Sequence, residues 1–131
     1  VKKLESFIQK RKKNVSFLKD KLQDLQDELF LPEAEKNSDP SWFGFPITLK
    51  ENSKTSRREL INKLSEKKVG TRLVFAGNLT KQPAYLNKKF VISGDLKNTD
   101  IVMSNTFWVG IHPALGEEEL SYTAKVIKES L

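Results

Sequence analysis

A chain of 131 residues with 37% hydrophobic and 31% charged residues has the size of one ordinary domain and a composition that is neither disordered nor membrane-like. It has no cysteine, which excludes disulfides, thiolate metal sites and a cysteine nucleophile within it. The net charge is +6, but the basic residues are spread over several elements, which fits a solvated lysine-rich surface better than a nucleic-acid face.

The apolar runs, such as 73–76 and 107–111, are far shorter than the roughly 20 residues of a spanning helix. The start, Val1-Lys2-Lys3-Leu4-Glu5, has no apolar core region and does not read as a secretory signal. It also lacks an initiator Met, so a segment of a longer protein is expected. Cytoplasm is the expected compartment, with no membrane or nucleic-acid partner.

Leu4, Ile8, Val15, Leu18, Leu22, Leu25 and Leu29 step in fours and threes along one helical stripe, with Phe7 beside it and Arg11 interrupting it. The pattern predicts a long helix over 1–30, stopped by Pro32. It packs within the chain rather than forming a coiled coil, because globular sequence follows at once. Residues 33–39 read as a loop. Residues 42–49 read as a strand, with Pro46 arguing for an edge or a bulge. Ser56-Arg57-Arg58-Glu59 has the form of a capping box. It opens a helix with Leu60, Ile61 and Leu64 on its apolar face and Gly70 just past its end.

Residues 73–76 read as a second strand and 107–111 as a third. The stretch 77–106 between them has little periodicity, which in a compact domain points to function; a short helix is expected at 84–87. Glu117-Glu118-Glu119 places negative charge at the start of a last helix, whose apolar face is Leu120, Ala124, Ile127 and Leu131. The expected fold is α+β: a small antiparallel sheet of about three strands with helices packed on one face. No glycine-rich phosphate loop follows a strand, so a dinucleotide fold is not expected.

Few residues suggest chemistry. His112, the only histidine, follows the third strand and reads as an exposed or hydrogen-bonded loop residue, because one histidine without cysteines makes a poor metal site. Arg72 opens a strand after Gly70 and could grip a phosphate or carboxylate with two N–H groups, or sit in a surface ion pair. Asn78-Leu79-Thr80-Lys81-Gln82-Pro83 gathers hydrogen-bonding groups and a cation in one loop, as a polar ligand site needs and as plain turn chemistry also produces. Trp42, Phe43, Phe45, Phe107 and Trp108 could stack bases, but in strands alternate residues face the core, and core packing is expected.

Three segments carry a resemblance. They are 70–83 (GTRLVFAGNLTKQP), 94–100 (GDLKNTD) running into 105–110 (NTFWVG), and 42–47 (WFGFPI). Their order and sequence resemble the CDP-4-keto-6-deoxy-D-glucose 3-dehydrases, within the wider DegT/DnrJ/EryC/StrS family of sugar aminotransferases. The resemblance covers most of 42–113. It implies that 1–131 is the single C-terminal small domain of a fold-type I vitamin B6 enzyme, with the large cofactor-binding domain outside this chain. It further implies a dehydrase that uses pyridoxamine phosphate (PMP, the amine form of pyridoxal phosphate, PLP), with a large-domain histidine in place of the usual Schiff-base lysine. A 2Fe-2S cluster on cysteines, an iron-sulfur flavin reductase partner, a homodimer and a route to 3,6-dideoxy sugars of bacterial surface polysaccharide are also implied.

None of the catalytic groups is expected here. Lys81 is not the Schiff-base lysine, His112 is not the family's base, and neither cofactor nor metal is expected in this chain alone. Carried over residue by residue, the resemblance assigns substrate-binding roles to Arg72, Asn78, Lys81 and Gln82, with Asn105 as a further candidate. An arginine and a lysine suit a diphosphate, and amides suit sugar hydroxyls.

Overall fold

A computed structural model describes residues 2–131. The order of elements is α1 (Leu4–Leu22), β1 (Leu29–Phe30), β2 (Phe45–Leu49), α2 (Arg57–Glu66), β3 (Thr71–Leu73), α3 (Lys97–Asn105), β4 (Thr106–Val109) and α4 (Glu117–Ser130). Short 3-10 turns occupy Gln23–Leu25 and Leu79–Lys81. The four strands pair antiparallel in the order β1-β2-β4-β3. The α+β expectation holds, with one more strand than the pattern predicted.

That extra strand comes from the end of the expected first helix. Leu25 and Leu29 continue the helical spacing, yet α1 ends at Leu22 and Leu29–Phe30 pairs with Leu49 and Thr48. Leu29 reaches the core through the sheet instead, where it is 1% exposed. Only Asn14, Val15, Leu18 and Leu22 of α1 are buried, and Leu4 and Phe7 stand in solvent. Arg11, the break in the stripe, donates from Nε and Nη2 to Ser41 Oγ at 3.1 and 2.8 Å. The helix packs against α4 of the same chain.

The strand limits shift as well. β2 starts at Phe45, so Trp42 and Phe43 precede it; β3 is Thr71–Leu73 rather than 73–76; β4 is Thr106–Val109 rather than 107–111. Pro46 lies in a strand with neighbours on both sides, but β1 reaches only Thr48 and Leu49. On that side Pro46 has no partner strand, as its missing N–H requires.

The capping box of α2 forms as expected. Ser56 Oγ accepts from Glu59 N at 3.2 Å, and the Glu59 carboxylate accepts from Ser56 N at 2.9 Å. The left-handed residue past the helix is Lys68 (φ 62°), not Gly70. Val69 N donates to Leu64 O and Lys68 N to Ser65 O, both at 2.9 Å. This closes a Schellman motif in which buried Val69 covers Leu64.

Period-2 alternation then builds the core. Phe45, Ile47 and Leu49 of β2 and Phe107 and Val109 of β4 are all buried on the face covered by α1, α2 and α4. The opposite face carries Pro46, Thr48, Thr106, Trp108 and Arg72, placed there by the register Pro46–Trp108–Arg72 and Thr48–Thr106. Phe45 and Phe107 meet the core-packing expectation. Phe43, 74% exposed, and Trp108, on the outer face, do not.

Residues 83–87 form turns rather than the expected helix, and the helix of this region is α3. Its sequence, Lys-Asn-Thr-Asp-Ile-Val-Met-Ser-Asn, is rich in β-branched and amide residues of low helix propensity. Tertiary contacts hold it. Arg57 Nη1 donates to Met103 O at 2.6 Å and Thr106 O at 3.1 Å, and Asn105 Nδ2 donates to Leu49 O at 3.1 Å.

Candidate functional site

The candidate site grows from the β3 edge of the sheet and the loop that follows it. Arg72 is exposed on the outer face, opposite Trp108. No carboxylate pairs with it among the described residues, so its guanidinium is open to a ligand. Trp108 is fixed beside it. Its indole N–H donates to Leu73 O at 3.2 Å, and its ring meets Phe43 at 5.0 Å between centroids, tilted by 51°. Gly44 lies under the Trp108 ring, where a Cβ would come within 2.1 Å of Cε3. Only glycine leaves room for the indole there.

After β3 the chain turns at Gly77. Its φ of +59° favours glycine, and an added Cβ would fall 2.6 Å from Met103 Cγ of α3. Asn78 follows and is 2% exposed. Its Oδ1 accepts from Thr80 N at 3.0 Å and Thr80 Oγ1 at 2.7 Å, while its Nδ2 donates to Asp100 Oδ1 at 2.7 Å. Asp100 Oδ2 takes Lys81 Nζ at 2.8 Å. Gln82 Nε2 donates to Ala76 O, closing the loop on itself.

Asn78, Lys81 and Gln82 are therefore gathered into one tied loop, with Asp100 of α3 as its anchor. Arg72 flanks that loop at the sheet edge. Asn105 is not part of the cluster, because its amide is spent on Leu49 O of β2. His112 is exposed and its Nδ1 accepts from Ala114 N at 3.1 Å, the hydrogen-bonded loop role expected of it. The sequence reading missed Asp100 and Arg57. The Asn78-x-Thr80 spacing signals the turn, but no local signal marks a carboxylate 22 residues away as its partner.

Lys81 first, and then the Asn78 amide, hold the Asp100 carboxyl below its ordinary range. A depressed carboxylate contributes order above its unfolded pKa, about 3.9, and loses it as pH falls through the lowered folded value. The side-chain amide signals of Asn78 in NMR are expected to keep their folded positions at pH 5 and to move toward solvent-exposed values in strong acid. Asp100→Ala should produce the same movement at neutral pH. Unchanged Asn78 signals in that variant would show that the turn stands without its anchor.

The family model described as the DegT/DnrJ/EryC1/StrS aminotransferase family matches residues 1–128. The chain belongs to that family. It is 51% identical over 98% of its length to the lipopolysaccharide biosynthesis protein RfbH of Salmonella typhimurium, covering 30% of that protein. It is 39% identical over 97% of its length to the dTDP-4-dehydro-2,6-dideoxy-D-glucose 3-dehydratase of Saccharopolyspora spinosa, covering 27% of that one. Its fold matches the Escherichia coli GDP-4-keto-6-deoxy-D-mannose-3-dehydratase solved with bound hydrated PLP, with a TM-score of 0.86 and 28% identity over 96% of this chain and 32% of that one. This member of the family thus spans about a third of the length of the relatives it matches. No helix among its described residues is long and apolar enough to cross a membrane.

Proposed function

We propose that this chain is the C-terminal small domain of a longer nucleotide-sugar 3-dehydratase, that it forms one wall of the substrate pocket, and that it is inactive alone. The observation that carries the reading is its 39% identity to a 3-dehydratase along nearly its whole length. The segments at 42–47, 70–83 and 94–110 favour CDP-4-keto-6-deoxyglucose as the sugar, losing its 3-hydroxyl on the way to dideoxy sugars of surface polysaccharide. PMP or PLP, a 2Fe-2S cluster, a flavin reductase partner and a homodimer belong to the proposal for the whole protein.

This chain's own residues do not fit either cofactor. It has no cysteine to hold a cluster, and the Lys81 ammonium is already paired with Asp100 at 2.8 Å. Both groups are assigned to the part of the protein outside this chain. What this chain supplies is binding. Arg72 offers a planar fork to a diphosphate. Lys81, neutralised in part by Asp100, adds less attraction. Gln82 keeps its amide oxygen for a sugar hydroxyl. Asn78 acts by fixing the loop, and Asn105 by fixing the end of α3.

The longer protein, supplied with PMP and the CDP-4-keto sugar, is expected to release one water from the sugar, detectable by mass spectrometry. The 131-residue chain should leave the sugar unchanged. An amino sugar formed with glutamate as nitrogen donor would make the protein an aminotransferase and reject the dehydratase reading.

A further inference from the structure

The exposed apolar residues of this chain are not scattered. Among the described residues, eight of the fourteen exposed large hydrophobics lie between Leu73 and Ile92. Phe75 is 84% exposed and Val91 96%, and Phe43 at 74% joins them beside Trp108. Single exposed apolar side chains are ordinary, but a concentration of this kind marks an interface. The inner sheet face is covered by α1, α2 and α4, and the other exposed apolar side chains, Leu4, Phe7, Phe30, Val102 and Tyr122, are dispersed over α1, β1, α3 and α4.

Phe75 adds an independent sign. Its φ is +40°, a backbone region that bulky residues rarely occupy. The turn thus spends strain to hold an aromatic ring out into solvent. Strain of that sort persists where a function requires it.

We propose that the surface built from Phe43, Phe75 and the 85–92 segment is where the rest of the longer polypeptide docks. This rests on the reading of the chain as one domain of a larger enzyme. About two thirds of the length of its relatives lies outside the matched region, and that polypeptide must pack somewhere. Charge argues against a second copy of the same face. The segment from 72 to 97 carries Arg72, Lys81, Lys88, Lys89 and Lys97 against the single acid Asp95, and Arg72, Lys88, Lys89 and Lys97 have no carboxylate partner among the described residues. A two-fold contact of this face with itself would bring like charges together. The complementary surface is apolar with carboxylates at its border.

Hydrogen–deuterium exchange on the longer protein tests this. Amides of 85–92 are expected to exchange at least about tenfold more slowly than in the 131-residue chain, while the exposed loop at 33–38 exchanges equally in both. Phe75→Ser combined with Val91→Ser should abolish the protection in the longer protein. In the short chain the pair should move the melting temperature by no more than about 3 °C. Equal exchange of 85–92 in the two proteins overturns the proposal. So does protection that vanishes on dilution to monomer, which assigns the face to a second copy. Activity separates the two readings. A protein that protects 85–92 but does not dehydrate the sugar keeps the surface and loses the function; a dehydratase that leaves 85–92 exposed does the reverse.

Discussion

Phe107→Ala is expected to destabilise the chain by about 3–5 kcal/mol, the range for removing a fully buried aromatic ring. Phe107 is 0% exposed. It sits in β4 between Ile47 of β2 and Leu73 of β3 and faces the helical layer. Truncation opens a cavity in the core shared by the sheet and the helices packed on it. Urea melts of both forms check the value, with the slope expected to stay the same because the area exposed on unfolding changes little. Phe30→Ala is the control. That ring is 58% exposed, and its loss should cost no more than about 0.5 kcal/mol. A loss below about 1 kcal/mol for Phe107→Ala would mean that the core repacks and that the sheet is not held from this side.

Arg72→Ala in the longer protein is expected to lower catalytic efficiency by about ten- to a hundredfold, the equivalent of a charge-assisted contact worth about 1.5–3 kcal/mol. The structure sharpens this expectation. Arg72 is exposed and has no carboxylate partner among the described residues, so its removal breaks no ion pair and should leave the melting temperature of this chain nearly unchanged. Arg72→Lys should recover only part of the activity, since an ammonium does not reproduce the planar fork. Steady-state turnover of the nucleotide sugar, with thermal melts alongside, is the measurement. Wild-type efficiency in Arg72→Ala would remove Arg72 from the site. Unfolding would make it structural.

Much of the site's raw material was legible from the chain order of residues. The polar loop at 78–83 and the arginine before it are local features, and the structure places both at the β3 edge of the sheet. Their division of labour was not legible. Asn78 reads as a ligand contact in sequence but is buried, with its oxygen and one amide hydrogen used inside the loop. Lys81 reads as a free cation but is held by Asp100. A partner 19 or 22 residues distant leaves no periodic signature, because it is chosen by where α3 comes to rest.

The sequence by itself determined the parts whose energetics are local. The capping box at Ser56–Glu59, the alternation in 45–49 and 106–109, and the four-and-three spacing of α4 each specify their element within a few residues, and the motifs at 70–83 and 94–110 carried the family. Tertiary structure decided where the elements stop and what α3 is. Leu29 continues a helical stripe but gains a strand partner in Leu49 and full burial, so α1 ends at Leu22, about two turns early. The 97–105 segment has poor helical propensity and becomes helical because Arg57, the Asn105–Leu49 bond and the Asn78–Asp100 bond tie it to the rest of the fold. Hydrogen bonds and burial supplied by distant residues outweigh propensities of a few tenths of a kcal/mol per residue.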